Sequence, residues 1–234
     1  MNKIKKQDIA KFAFVSTKFT IKPYRRLIVG FPGLGSTEMR SGLDMEALEN
    51  LEQGVLYVSP YVNPWNWMNQ KTVEFVDMLL ESVTKSLKIE GIPLITVGGS
   101  MGGYSALAYP MFSKLMFSAS MAFCPVCDLH HSYSERDDIP RTLCDAFGYG
   151  DIGELLKERS PLHNVARMPD LKYLIVHGSR DKLVSKAAHS DKLVRAMRKR
   201  KLQLTYIEDP LMEHGAPISV STMRAIKKFS ATIL

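Results

Sequence analysis

The 234-residue chain contains no apolar run long enough to cross a bilayer, its longest apolar stretches being strand-sized. That argues against a helical membrane protein. It also lacks a signal-peptide pattern: the opening Met-Asn-Lys-Ile-Lys-Lys is basic, but the segment behind it carries Gln7, Asp8 and Lys11 and no apolar stretch of the required length. A cytoplasmic protein is therefore expected. Cysteine is scarce, with three residues, so reduced thiols are expected rather than a disulfide framework. There is no internal repeat, low-complexity tract or linker, and one domain spanning 1–234 is long enough to bury a core without disulfides or metals. No platform of aromatics for stacking bases accompanies the densest basic cluster. The net charge is +7, yet the densest cluster, Arg195 to Lys201, lies opposite Leu193, Val194 and Met197 and reads as the solvated face of a helix. No nucleic-acid partner and no membrane partner are expected. The oligomeric state is not fixed by any of these features.

What is present is an alternation of apolar strands and amphipathic helices. Phe12 to Thr20 suggests a short edge strand or hairpin before Pro23, and Leu27 to Phe31 a buried strand followed by the glycine-rich loop Pro32-Gly33-Leu34-Gly35-Ser36. Asp44 to Gln53 has helical spacing ending at Gly54, and Val55 to Ser59 is a strand. The loop from Pro60 to Asn69 holds both tryptophans, Trp65 and Trp67, which either wall an apolar pocket or pack a long loop on the core. Val73, Val76, Leu80, Val83 and Leu87 mark a long helix closed by Gly91, and a strand over 92–97 leads into a helix stopped at Pro110. Leu115 to Phe123 is a strand, and residues 124–170 form an insertion with one helix around Leu143 to Arg159, expected to cover the active site as a small cap. A strand over Leu171–His177, a helix over Lys186–Arg200, a strand over Leu202–Ile207 and a closing helix from Ala216 complete the chain. The expectation is an α/β fold with a mostly parallel central sheet of about six to eight strands and helices on both faces.

Within this alternation, Gly98-Gly99-Ser100-Met101-Gly102 follows a strand and opens a helix. A serine lifted out on so sharp a turn sits in strained backbone, and neighbours two positions either side must lack bulk, as Gly98 and Gly102 do. The first N–H groups of the helix point back at the turn and favour negative charge developing beside Ser100. Serine attack also needs a base and an acid to orient it. In an open α/β sheet these gather at the carboxyl ends of later strands. Asp181 follows the strand ending at His177 and could equally cap its own turn; His214 follows the last strand and precedes a helix. The chain order Ser100, Asp181, His214 is that of an α/β-hydrolase. For the oxyanion, the N–H groups of Met101 and Leu34 form the expected donor pair, and a shift of one residue to Gly33 would serve equally well.

The chain resembles the catalytic domain of the prolyl oligopeptidase family of α/β-hydrolases. The resemblance is carried by Gly-Gly-Ser-Met-Gly-Gly-Tyr, Ser160-Pro161-Leu162, Val176-His177-Gly178-Ser179-Arg180-Asp181-Lys182-Leu183-Val184 and Glu213-His214-Gly215, and it extends from about residue 26 to the end. It implies a serine hydrolase with Ser100, Asp181 and His214 as its triad. Pro32 stands where relatives often carry His before the oxyanion glycine. Stand-alone domains of similar build are frequently esterases, so the expected substrate is a small carboxylic ester, with a short peptide as the alternative.

Other chemistry is weighed and set aside. Cys124-Pro125-Val126-Cys127 with His130 and His131 has metal-ligand types but lacks a second, separated cysteine pair, and reads as a turn with buried thiols. No metal or cofactor is expected. Asp128 is a competitor to Asp181 as the third triad member, and His163, His177 and His189 are read as structural. A hydrolase fold retained only for binding is the remaining rival.

Overall fold

The structure, a computed structural model, describes residues 4–37, 39 and 53–233. The helix expected over Asp44–Gln53 lies outside the described residues apart from Gln53, which sits in a turn. Seven strands form one sheet: β1 (Ala13–Val15), β2 (Arg26–Phe31), β3 (Val55–Pro60), β4 (Leu94–Gly99), β5 (Ala119–Phe123), β6 (Lys172–Gly178) and β7 (Leu204–Asp209), in the order β1-β3-β2-β4-β5-β6-β7. All neighbours are parallel except β1, which runs antiparallel to β3 at the sheet edge.

Parallel strands need crossovers, and the helices that supply them cover both faces. Consecutive residues of β2 therefore face opposite cores. Leu27, Val29 and Phe31 pack with Val73, Val76 and Leu80 of α1 (Gln70–Leu87) and with Met101 and Tyr109 of α2 (Met101–Phe112). Ile28 faces the other way with Ile95 and Met121, against Ile226, Phe229 and Ile233 of α7 (Val220–Ile233). Ala122, Tyr173 and Ile175 meet Leu193, Val194 and Met197 of α6 (Ser190–Lys199). No helix among the described residues is long and apolar enough to cross a membrane.

Several boundaries differ from the sequence expectation. The strand expected from Leu115 begins at Ala119, the helix expected from Lys186 at Ser190, the strand expected from Leu202 at Leu204 and the closing helix expected from Ala216 at Val220. Three further differences have a local reason. Helix α1 ends at Lys88 in left-handed backbone (φ 57°), ahead of Gly91. Helix α2 is not stopped at Pro110 but continues to Phe112. A proline inside a helix frees the carbonyl four residues back. Here that carbonyl, Ala106 O, accepts from the buried hydroxyls of Thr96 on β4 and Ser120 on β5, each at 2.8 Å. The insertion after β5 holds three short helices rather than one: α3 (Leu129–Glu135), α4 (Ile139–Phe147) and α5 (Gly153–Arg159). The expected continuous helix from Leu143 is broken at Gly148 and Gly150, whose φ values of 105° and 119° leave the helical region.

Candidate active site

The site is assembled at the carboxyl ends of β4, β6 and β7. Ser100 stands between β4 and α2 at φ 58°, ψ −124°, a conformation that costs on the order of 1–3 kcal/mol for a residue with a side chain. The glycines explain how the turn closes. A Cβ on Gly98 would lie 2.3 Å from Gly102 O, and one on Gly102 would lie 2.3 Å from Phe31 O. The second contact also brings the 31–35 loop against the first turn of α2. Ser100 N–H donates to Phe123 O at 2.9 Å, while its Oγ makes no hydrogen bond among the described residues. Met101 N–H and Leu34 N–H likewise donate to no protein acceptor among the described residues. The Leu34 side chain packs on the core that contains α2.

Asp181 and His214 meet directly: His214 Nδ1 lies 2.8 Å from Asp181 Oδ2. Since a carboxylate only accepts, Nδ1 carries the proton and Nε2 is left as a base. The two functions that the sequence left open for Asp181 coexist on its two oxygens. Oδ1 caps its own turn, accepting from Leu183 N–H at 2.9 Å and Val184 N–H at 3.0 Å. Oδ2 serves His214 and also faces His177 Nε2 at 3.2 Å. Burial pushes this carboxyl up, but the hydrogen bonds from His177, His214 and Val184 together hold it well below the usual carboxylate range. Asp181 is ionised at neutral pH. No hydrogen bond joins Ser100 to His214 among the described residues; catalytic contacts of this kind often tighten only when substrate binds. The end of β5 links the two halves, since Phe123 O accepts from Ser100 N–H and the next residue, Cys124, donates its thiol to Glu213 O at 3.7 Å.

Three residues support this side in roles that the sequence reading did not assign to them. Gly178 is one: a Cβ there would lie 2.0 Å from Met212 O, so only glycine lets the His214 loop approach the Asp181 turn. Asp209, at the end of β7, is another. Its Oδ1 accepts from Leu211 N–H at 2.9 Å and Met212 N–H at 3.1 Å, and its Oδ2 from Ser219 N–H at 2.8 Å, so one carboxylate ties both ends of the loop. Burial raises the Asp209 carboxyl, and these N–H donors outweigh it and hold it well below its ordinary range. The third is His177, read from sequence as structural. It is buried, with Nε2 facing two acceptors, Val184 O at 3.1 Å and Asp181 Oδ2, and Nδ1 2.7 Å from Ser190 Oγ. Nε2 therefore holds the proton and Nδ1 accepts from the serine hydroxyl. The pattern His-Gly-x-x-Asp contained this pair, but only the fold shows that the histidine reaches the carboxylate.

The remaining candidates are placed elsewhere. Asp128 caps α3 through His131 N–H at 3.0 Å and pairs with His163 at 3.1 Å, away from His214. Trp67 is 1% exposed, donates its Nε1–H to Thr142 Oγ1 at 3.0 Å and stacks edge-on against Tyr104, so it packs its loop against α2 and α4. Trp65 is partly exposed beneath the Arg141 guanidinium, 5.7 Å from the ring centroid. Neither tryptophan lines the cavity of about 820 Å³ that opens at Gly33, Gly98, Gly99 and Gly215. That cavity is walled by Phe31, Tyr57, Val97, Met121 and Ile218 among others, with no charged side chain among the described residues.

Two groups of ligand-type residues cluster, Cys124–His177–Asp181 and His131–Glu135–His189. In each, the histidine is already engaged by protein partners. His177 Nε2 keeps its proton for two acceptors, as above. His189 Nδ1 accepts from Cys127 N–H at 3.2 Å and Asp128 N–H at 3.3 Å, so Nε2–H points at Glu135, 2.8 Å away. Glu135 also accepts from Ser185 N–H at 3.1 Å and so fastens α3 to the Asp181 loop. The Cys124 thiol is buried, and burial pushes it up to about 12; Cys127 is buried and free as well.

The sequence profile described as the prolyl oligopeptidase family matches residues 65–233. No curated protein is detectably similar in sequence. Among solved structures, a puromycin-hydrolyzing peptidase of Mycobacterium tuberculosis superposes with a TM-score of 0.71 at 20% identity over 90% of this chain and 34% of its own. The acylaminoacyl peptidase of Pyrococcus horikoshii gives 0.69 at 15% identity over 91% and 37%. Esterase B of Lactobacillus rhamnosis gives 0.68 at 14% identity over 91% and 78%. The chain thus spans about a third of the two peptidases and most of the esterase, and at these identities the likeness establishes a shared α/β-hydrolase fold.

Proposed function

Since this chain belongs to the prolyl oligopeptidase family, we propose that it is a serine hydrolase that cleaves a small carboxylic ester through an acyl-enzyme on Ser100. The observation that carries this is the pairing of a strained, unengaged Ser100 with a base already fixed in the required tautomer by Asp181. Ser100 Oγ attacks the acyl carbonyl as His214 Nε2 takes its proton, and Met101 N–H and Leu34 N–H hold the oxyanion. Collapse returns that proton from His214 to the departing alkoxide, which leaves as the alcohol. Water, deprotonated by the same Nε2, then attacks the acyl-enzyme and releases the acid with Ser100 restored. Asp181 stays ionised throughout and stabilises the imidazolium.

An ester is favoured over a short peptide because the cavity beside the elbow is walled by apolar side chains such as Phe31, Val97, Met121 and Ile218. The peptidase alternative draws its support from the family and from the two peptidases of similar fold. A panel of nitrophenyl esters of increasing acyl length, run beside aminoacyl and prolyl nitroanilides, tests the choice. Higher kcat/KM on the esters is expected; higher kcat/KM on the anilides would reassign the protein as a peptidase. Fluorophosphonate labelling checks the shared premise, since an unreactive Ser100 in folded protein would remove both.

A further inference from the structure

The charge of this protein is not spread over its surface. Of 31 Lys and Arg and 24 Asp and Glu, eight and one respectively fall within residues 1–26, so the whole +7 excess resides there and the rest of the chain is balanced. Lys5, Lys6, Lys11, Lys18, Lys22 and Arg25 are exposed. The ion pair of this segment among the described residues is Lys11 with Asp8, at 2.8 Å, which leaves Lys5, Lys6, Lys18 and Arg25 unpaired. The same segment exposes apolar side chains: Phe12 is 39%, Phe19 47% and Ile21 55% accessible. Both characters meet in a groove of about 460 Å³ between the segment and the C-terminal half of α1, floored by Ile9, Ala13, Val15, Val83 and Leu87. Lys6, Lys18 and Phe19 border it, and no acidic residue does among the described residues. Phe14 and Tyr61 line both this groove and the cavity at Gly98 and Gly99, so they form the wall between the two.

Uncompensated lysines around exposed phenylalanine and isoleucine are the two terms of interfacial attachment: attraction to an anionic surface and shallow insertion of apolar groups. We infer that the N-terminal segment docks the protein on anionic lipid bilayers, with the groove taking an acyl chain and Lys6 and Lys18 facing its headgroup charge. A nucleic acid fits less well, because the aromatic side chains at the groove, Phe14, Phe19 and Tyr61, are outnumbered by the aliphatic side chains of its floor, which suit an acyl chain and offer bases nothing to stack on. The expected absence of a membrane partner rested on the lack of a spanning segment, and a surface contact needs none. The docking does not depend on Ser100 chemistry.

Flotation of the full chain with phosphatidylcholine vesicles, alone or mixed with phosphatidylglycerol, tests the inference. Binding is expected only to the mixed vesicles and should weaken as salt rises. Each lysine removed near the surface should cost about 5-fold in partitioning, so Lys6→Glu with Lys18→Glu should abolish most binding while turnover of a water-soluble ester stays unchanged, which also certifies folding. Phe19→Ser with Ile21→Ser should weaken binding and leave its salt dependence intact. The same charge change made on the exposed face of α6, Arg195→Glu with Arg198→Glu, should have little effect. Equal loss in that control, equal binding to uncharged vesicles, or retention on an RNA column without vesicle binding would each overturn the proposal. Ser100→Ala protein should float like the wild type, so failure here and failure of the hydrolase assignment are separate results.

Discussion

The nucleophile side and the acid–base side of the active site are built by opposite means. Ser100 is positioned by the absence of side chains: Gly98 and Gly102 let three backbone segments touch, and the hydroxyl itself is held by no partner among the described residues. Asp181 and His214 are positioned by saturation. Two backbone N–H groups and two imidazoles converge on one carboxylate, and a second carboxylate, Asp209, ties down the loop that brings the histidine. A sterically defined turn tolerates loss of its functional atom, whereas a saturated network transmits the loss of any donor to its neighbours. Substitutions on the two sides should therefore separate activity from stability differently.

The sharpest case is Ser100→Ala. Ester turnover should fall by about 10,000-fold or more with no loss of thermal stability, because Oγ makes no hydrogen bond among the described residues and alanine keeps the Cβ that sets the strain at this φ. Retained turnover would remove Ser100 from its role. On the other side, Gly178→Ala places a Cβ 2.0 Å from Met212 O and must displace the His214 loop. A misplacement of about 1 Å can cost on the order of 100-fold in rate. Steady-state kinetics should show a fall of that order in kcat, with a lowered melting temperature beside it. A Gly178→Ala protein that lost stability but kept its rate would break the comparison.

Next in size is His177. His177→Leu removes one of the imidazole donors on Asp181 and orphans Ser190, while His177→Gln keeps an N–H near the former Nε2. Removing a hydrogen bond to a charged group is worth about 1.5–3 kcal/mol, so kcat/KM should drop on the order of 10-fold in the leucine variant. With one donor fewer, the carboxylate holds the His214 proton more strongly, and the acidic limb of the pH–rate profile should move to higher pH. The glutamine variant should recover most of both. A purely structural histidine would lower stability in both variants and leave the limb in place.

The same contrast explains what could be seen in the sequence. The elbow is local: strand, glycine-flanked serine and helix fall within a dozen residues, and the steric demand is written in residue type. The parallel sheet was equally legible because its strands are apolar on both faces. The supports of His214 come from three separated segments, and nothing in the residues around Gly178 or Asp209 says which backbone they will meet. Tertiary partners also overrode one local signal and decided between two open readings. Pro110 does not end α2 because Thr96 and Ser120, from two other segments, satisfy the carbonyl it frees. The tryptophan loop had two open readings, and only the positions of Thr142 and Tyr104 put Trp67 into the core.

The smallest effect concerns acid stability, and it places the comparison on a pH axis. Asp181 and Asp209 both have native carboxyls held below their unfolded value, which for Asp is about 3.9. A depressed carboxyl contributes stability that is fully present above the unfolded value and is lost as pH falls through and below it. Asp209→Asn deletes that contribution and also turns an amide N–H₂ toward either Ser219 N–H or the Leu211–Met212 pair. Urea unfolding at neutral pH should show a loss of about 1–3 kcal/mol, and the gap from wild type should narrow as the pH is lowered past 4. Ser100→Ala, on the side without ionisable supports, should track the wild type at every pH. A gap for Asp209→Asn that stayed constant into acid would mean that the loop is held by packing around Met212 rather than by the ionised carboxylate.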